Sequence, residues 1–487
     1  MLPTKKKNLY ILAAMVAAFA ISVLPIKAQT VEPVSPSDLA EARSIFKQLI
    51  EINTTDTPQG NVTTATTAME KRFQDAGFPA AEIHLLGPND RKMNLVVRYA
   101  GTDTSEKPVL FLCHIDVVEA LRADWHTDPF RFVEQDGYYY GRGTQDMKDS
   151  DATVVATFLR LHREGFKPKR GMILALTADE EGGSSNGASW LVENHRELVD
   201  AAFVINPDSG GVEMEHGKAV IADVEATEKV YADYQVTAKN RGGHSSLPRP
   251  DNAIYELMSA LNKLSGYSFP FELNSVTRAY FAAIAKQEHG STAEDMRAIL
   301  ATPPDMAAAA RLSAESPDFN SNFRTTCVAT RLSGGHANNA LPQTAQANVN
   351  CRIFPGHSPE QIRQQLIALF NDPKLTVNYV SDAGVVADVA PEREAMTPPP
   401  PMPAVFKPLD AMVEAIWPGA PVTPIMEDGA SDSIYFAKAG IPCYGFSGIA
   451  LERGDERMHG QDERLPMESY TKALEFMYGF AKAIGSE

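Results

Sequence analysis

The chain has 487 residues, 44% of them hydrophobic and 22% charged, with a formal net charge of −17. That length allows two domains, each able to bury its own core. The acidic balance excludes nucleic acid and an anionic membrane surface as main partners, and leaves small substrates open because a local site can oppose the net charge.

The N-terminal stretch MLPTKKKNLYILAAMVAAFAISVLPIKAQT sets Lys5, Lys6 and Lys7 before an apolar run from Leu9 to Leu24. This pattern predicts a secretory signal peptide over 1–28, cleaved after Ala28. An uncleaved anchor is the alternative, although the run is short for a membrane span. The expectation is an exported protein, periplasmic or extracellular, with no stable membrane partner. After a short Pro/Ser linker, Leu39, Ile45, Phe46, Leu49 and Ile50 recur at helical spacing. Strand-like runs (NLVVRYAG, PVLFLCHID, GMILALTADEE, AAFVINPD) then alternate with helix-like ones (DATVVATFLRLHREGF, GASWLVENHREL). Such alternation predicts an α/β domain with a mostly parallel, mixed sheet.

Near residue 228 the character changes. KVYADYQVTAKN alternates like a half-exposed antiparallel strand, and DNAIYELMSALNKL reads as a helix. Residues 270–325 read as long, Ala-rich and irregular. TTCVATRL and TAQANVNCRIF are strand-like, and SPEQIRQQLIALF is helical. Mixed order of this kind predicts a separate α+β domain. The Pro-rich 397–406 reads as a return linker, after which the α/β pattern resumes. The expected organisation is therefore an α/β domain over 29–228 and 396–487, interrupted by an inserted α+β domain over 229–395. Of the four cysteines, Cys327 and Cys351 fall in neighbouring strand-like runs, so a bridge is open in an oxidising compartment. Four buried free thiols are the default.

Chemistry-bearing residues gather where strands end. FLCHID finishes a strand with His114 and Asp116, GRGTQDMK places Asp146 before a helix, and NPD places Asp208 after a strand. TADEEGG sets Glu180 beside Glu181, and MHGQDER places His459 before the last helix. Each has an ordinary reading, as a solvated acidic turn, a structural His–Asp pair or a loop polar residue. In an open α/β sheet, however, the carboxyl ends of strands form the ligand crevice. Imidazoles and carboxylates converging there match a hydrolytic zinc site.

Together with GGHSSLP and NNALP, these motifs resemble the M20 family of dinuclear zinc peptidases and amidohydrolases, across nearly the whole chain from about residue 38. WHTDPF, the 270–325 insertion and RTTCVATRLSGGHANNALPQTAQANVNCRIFPG bring it nearest to the carboxypeptidase S and N-acyl-amino-acid hydrolase subgroup. The resemblance implies a zinc-peptidase catalytic domain with an inserted lid, of the kind that forms homodimers in relatives. It implies two Zn2+ ions, with Co2+ or Mn2+ as alternatives, held by His114, Asp146, Glu181, Asp208 and His459, with Asp146 bridging. It implies Glu180 as general base, Asp116 as the orienter of His114, and His244 as the oxyanion partner. Asn339, Arg352, Gly429 and Ser431 are implied to meet substrate; the GASD stretch departs from the commoner pattern by having Ala430. The substrate expected is a peptide or N-acyl amino acid. A dipeptidase or aminopeptidase is the alternative enzyme, and a non-catalytic metal- or peptide-binding protein the alternative of another class.

Overall fold

The computed structural model describes residues 31–381, 384–391, 398 and 401–486. The expected signal peptide, its cleavage site after Ala28, and part of the Pro-rich 397–406 lie outside the described residues. Among those described, no helix is long and apolar enough to cross a membrane.

The strands Val109–His114 and Met172–Thr177 are buried at every position, as expected of strands covered on both faces. They lie at the centre of a six-stranded sheet. Its spatial order is Ile83–Leu86, Asn94–Tyr99, Met172–Thr177, Val109–His114, Phe203–Ile205, Cys443–Tyr444. The pairings among the last four strands are parallel and the outer two are antiparallel. Alternate side chains feed opposite cores. Phe111, Cys113, Leu174 and Leu176 pack with the helices Pro36–Ile50, Lys148–Arg163, Pro403–Ile416 and Met467–Ser486. Leu110, Leu112, Ile173 and Ala175 pack with Gly187–Asn194 and Ser433–Lys438. Because three central strands run parallel, His114, Thr177 and Ile205 end on one edge.

A second sheet, Val422–Glu427, Lys218–Glu228, Gly211–Glu215 and Ala450–Glu452, extends this body. The chain leaves it at Glu228 and, after the single residue Lys229, enters the five-stranded antiparallel sheet of the inserted domain at Val230. The helices Ala253–Ser265 and Pro359–Phe370 cover that sheet and share its core.

Three expectations change. Residues 270–325 are not irregular: they form the helices Ser275–Ile284, Gly290–Ile299, Met306–Glu315 and Pro317–Ser321. Asn274, Asp305 and Ser316 cap three of these, and Phe281, Met296, Ile299, Leu312 and Phe323 give the helices a core of their own. The short apolar spacings inside an Ala-rich run hid that pattern. The stretch 397–406 is not linker throughout, since a helix starts at Pro403, where a proline's fixed φ suits a first turn. Cys327 and Cys351 are not free thiols. They sit directly opposite one another on adjacent antiparallel strands and are joined by a disulfide, whereas Cys113 and Cys443 are buried and free.

Candidate functional site

The five expected ligands meet at the edge where the central strands end. His114 Nε2 lies 3.0 Å from Asp146 Oδ1 and 3.1 Å from Asp208 Oδ1. His459 Nε2 lies 3.1 Å from the other oxygen of the same carboxylate, Asp146 Oδ2, and 2.9 Å from Glu181 Oε2. Two donor sets follow, His114–Asp146–Asp208 and Asp146–Glu181–His459, with the ligand atoms of each within 4.8 Å of one another. Asp146 belongs to both. Its buried Oδ1 makes no hydrogen bond; the His114 ring approaches it in distance but not in hydrogen-bonding direction. A buried acceptor left this way is costly unless something positive meets it. Imidazole nitrogen and carboxylate oxygen are the donors a first-row dication takes, so the residues present fit two metal ions sharing Asp146.

Electrostatics agree with that fit. Burial works against a charge on His114, but Asp208 and Asp146 outweigh it and hold the imidazole well above its ordinary pKa. Hydrogen bonds to Asp146 and Glu181 push His459 up to about 10. Asp146 is held far below the carboxylate range despite its burial, by the two histidines. Burial pushes Glu180 well above that range, with Asp208, Asp432 and Glu181 adding to the effect and His114 opposing it. In the metal-free protein, protons therefore occupy positions that metal charge would take.

The neighbouring glutamates stand on a turn beyond the strand, and of the two it is Glu181 that contacts His459. The strand ends at Thr177, and Asp179 then takes a left-handed φ of 57°. The Asp179 carboxylate holds Lys92 and accepts the Ser185 N–H at 3.1 Å. Asp116 accepts the N–H groups of both Glu180 (3.2 Å) and Glu181 (3.0 Å). That fixes the turn and refines the expected role of Asp116. It is the backbone carbonyl of Asp116 that lies 3.2 Å from His114 Nδ1, with the carboxylate further off at 3.8 Å. Burial raises the Asp116 carboxyl to about 7, with Glu181 adding to the rise.

Sequence reading missed several supporting residues. Glu463 is buried, forms an ion pair with Arg142 at 2.6 Å, and accepts the N–H groups of Gly143 (3.2 Å) and Gln145 (2.7 Å). The Gln145 side chain in turn reaches the carbonyl of Arg464 at 2.6 Å and accepts the Arg457 N–H at 2.7 Å. These contacts lock the Asp146 loop to the His459 loop. Gly143 suits the loop because its φ is +88° and a Cβ would meet Val117 and Lys148. Asp432 accepts from Thr177 Oγ1 at 2.8 Å and Asn186 Nδ2 at 2.7 Å, and burial raises it to about 6. The only sequence signal for Glu463 is its place four residues after His459, inside HGQDER.

The expected substrate residues fall into two groups. His244 is exposed on the inserted domain, hydrogen-bonded to Ser246 and strand-paired with Ala340, next to Asn339, whose carbonyl accepts the Ser245 N–H at 3.0 Å. Among the described residues no hydrogen bond or ion pair joins either to the ligand cluster. Arg352 reaches the other group, donating to the carbonyl of Asp428, the residue before Gly429, at 3.4 Å. Ser431 is buried; its hydroxyl accepts the Ser433 N–H at 3.1 Å and faces Asn206 Nδ2 at 3.3 Å, so it is engaged in holding the loop. Trp125 is buried against Arg142, with the guanidinium 5.1 Å from its ring, beneath this same lock.

Residues 110–483 match the sequence profile of peptidase family M20/M25/M40. Probable carboxypeptidase S-like 2 of Dictyostelium discoideum is 28% identical over 422 residues, 84% of this chain and 78% of the relative. N-fatty-acyl-amino acid synthase/hydrolase PM20D1 of Xenopus tropicalis is 29% identical over 387 residues, 77% of this chain and 72% of the relative. Among solved structures, the M20 family metallo-carboxypeptidase Sso-CP2 from Sulfolobus solfataricus superposes with a TM-score of 0.66 at 16% identity, covering 91% of this chain and 99% of that one. That last likeness is one of fold.

Proposed function

The chain belongs to peptidase family M20/M25/M40 and is a hydrolase of that metallopeptidase and amidohydrolase class, and from that premise we propose a dinuclear zinc enzyme that cleaves an amide bond next to a free α-carboxylate, in N-acyl amino acids or at the C-terminus of peptides. One observation carries the reading: the two histidines approach opposite oxygens of the single carboxylate Asp146, at 3.0 and 3.1 Å. Its relatives among carboxypeptidase S-like proteins and N-fatty-acyl-amino acid hydrolases support the substrate class.

His114 and Asp208 would hold one ion and Glu181 and His459 the other, with Asp146 a member of both donor sets. Zinc, when bound, supplies electrophilic activation of water and of the scissile carbonyl. Glu180, outside both donor sets, takes a proton from the attacking water as its oxygen joins the carbonyl carbon. It then delivers that proton to the nitrogen as the C–N bond breaks, leaving a carboxylic acid and an amine. His244 opposes the charge that develops on the carbonyl oxygen. Because it is exposed on the inserted domain, it serves a centre reached across a lid contact, and a homodimer through the lid would supply one. Arg352 takes the α-carboxylate in a charge-assisted hydrogen bond, with Asn339 and Gly429 beside the substrate. Export to an oxidising compartment is part of the same proposal, supported by the Cys327–Cys351 disulfide.

The test is amide hydrolysis by the zinc-loaded protein on N-acyl amino acids, N-blocked dipeptides and free dipeptides. Activity on the first two, stopped by chelator and restored by zinc, is expected. Turnover that survives complete metal removal would overturn the metal reading, and a preference for free dipeptides would overturn the substrate class.

A further inference from the structure

Lys229 is the single residue between the last strand of one domain and the first of the other, and its side chain is fully buried. A buried ammonium needs partners. Lys229 Nζ donates to Ser321 Oγ at 2.7 Å and lies 3.5 Å from Asp428 Oδ1. Ser321 Oγ passes the contact on, donating to the same Asp428 oxygen at 2.5 Å. Ser321 ends the helix Pro317–Ser321, the last of the inserted 270–325 helices. Three distant parts of the chain thus meet on one carboxylate: the interdomain residue, the insertion and the loop entering Gly429.

Arg352 meets Asp428 at its backbone carbonyl rather than at its carboxylate. Its guanidinium lies 4.9 Å from the Tyr231 ring and, among the described residues, makes one hydrogen bond, the 3.4 Å contact to the Asp428 carbonyl. A guanidinium carries five N–H donors, so most of its capacity is unspent. One carboxylate within the protein that could take it belongs to Asp428, the residue whose carbonyl it already touches; Asp233 already accepts from Tyr231, Asn348 and Asn350. A bidentate Arg352–Asp428 pair would fill the guanidinium from within the protein. The Asp428 side chain is 37% exposed, so it is not prevented from turning by packing. What holds it is the Lys229–Ser321 pair.

We propose that Lys229 and Ser321 restrain the Asp428 carboxylate so that Arg352 stays free for the substrate's α-carboxylate. Both are positioning residues, and the inserted helices supply one of them. The inference rests on the reading of Arg352 as the carboxylate-binding residue.

The experiment compares KM and kcat for an N-acyl amino acid and its carboxamide, in zinc-loaded wild type and in Lys229→Met, Ser321→Ala, Arg352→Gln and Lys229→Met/Asp428→Asn. Arg352→Gln should raise KM for the acid but not for the amide, by about tenfold or more. Lys229→Met should do the same in the same direction, with kcat within about twofold, and Ser321→Ala should do so more weakly. Removing the competing charge in Lys229→Met/Asp428→Asn should restore KM, which a merely structural role for Lys229 would not allow. If Arg352→Gln does not separate acid from amide, the reading of Arg352 fails and the inference goes with it. If Arg352→Gln separates them but Lys229→Met and Ser321→Ala do not, or if the double variant is not rescued, the restraint alone is wrong. Ser321→Ala keeps the lysine in place, so the question stands even if Lys229→Met does not fold.

Discussion

The two halves of the ligand cluster contain similar donors built in opposite ways. His114 closes a buried strand, and its side chain is 1% exposed; His459 sits in a loop at a φ of +63°, and its side chain is 54% exposed. Hydrophobic packing fixes the first half, because moving His114 means moving the centre of the six-stranded sheet. The second half has no such layer behind it and depends on polar contacts from Glu463 and Gln145. The ligand cluster is therefore rigid on one side and conditional on the other, with the shared Asp146 between them.

The harshest way to break this comparison is Asp146→Ala, since it removes the one ligand both halves use. Both metal equivalents and all activity should be lost, read by elemental analysis and assay. Retention of one full equivalent would mean that the halves do not share Asp146. Glu180→Gln comes next. It should lower kcat by about 10²–10⁴-fold while leaving two equivalents bound, because Glu180 stands beside the buried half without belonging to either donor set. Undiminished turnover at full metal content would remove it as the base.

Glu463→Gln sharpens the difference between the halves. The amide keeps the size of the side chain but gives up the charge that Arg142 pairs with and weakens acceptance of the Gly143 and Gln145 N–H groups. Affinity for one metal equivalent should fall by about 10- to 100-fold, as is usual when a residue supporting a ligand is altered. The other equivalent should bind as before. An equal loss at both positions would mean that the lock supports Asp146 alone and that His459 needs no help.

What the sequence made legible follows the same division. An unbroken apolar run ending in histidine, VLFLCH, states both that a strand is buried and where it stops, so the α/β class could be read from such runs, and the family from its resemblance in the motifs at their ends. Asp208 and Glu181 were readable because each follows a plain strand, and Asp146 because it precedes a plain helix. Glu463, Asp432 and Lys92 were not. A buried charge in a loop has the same letter as a solvated one, and only its partners, distant in sequence, distinguish them. The turn that carries Glu180 and Glu181 was not legible either: the strand ends at Thr177, and a left-handed Asp179 with Asp116 behind it fixes the backbone there. The second sheet escaped notice because its strands come from three separate parts of the chain, and the helices of 270–325 because an Ala-rich sequence carries little apolar period.

The smallest effect is a dependence of stability on pH that should exist only without metal. Asp116 and Glu463, both buried, have their carboxyls raised to about 7, and His459 is raised to about 10 by Asp146 and Glu181. All three folded values exceed the unfolded ones, near 4 for the carboxyls and about 6.5 for the imidazole. Stability from such groups is fully present below the unfolded value and is lost as pH rises through the folded one. Asp146 has the opposite sign, because its folded value is depressed, and its contribution disappears only in acid. The Tm of the chelated protein should therefore fall between about pH 5 and 7 as the two carboxyls ionise against their surroundings, by on the order of a few degrees. A second, shallower fall should follow toward pH 10, shallower because solvent screens the half-exposed His459. Zinc-saturated protein should show neither, since metal charge replaces the protons and binding releases them. His459→Gln should shrink the alkaline step to the part that His114 contributes and leave the first intact, which assigns that difference to the loop half. A metal-free Tm that rises from pH 5 to 7 would show instead that Asp116 and Glu463 are ionised and satisfied where they stand, and that the buried half is neutralised without any ion.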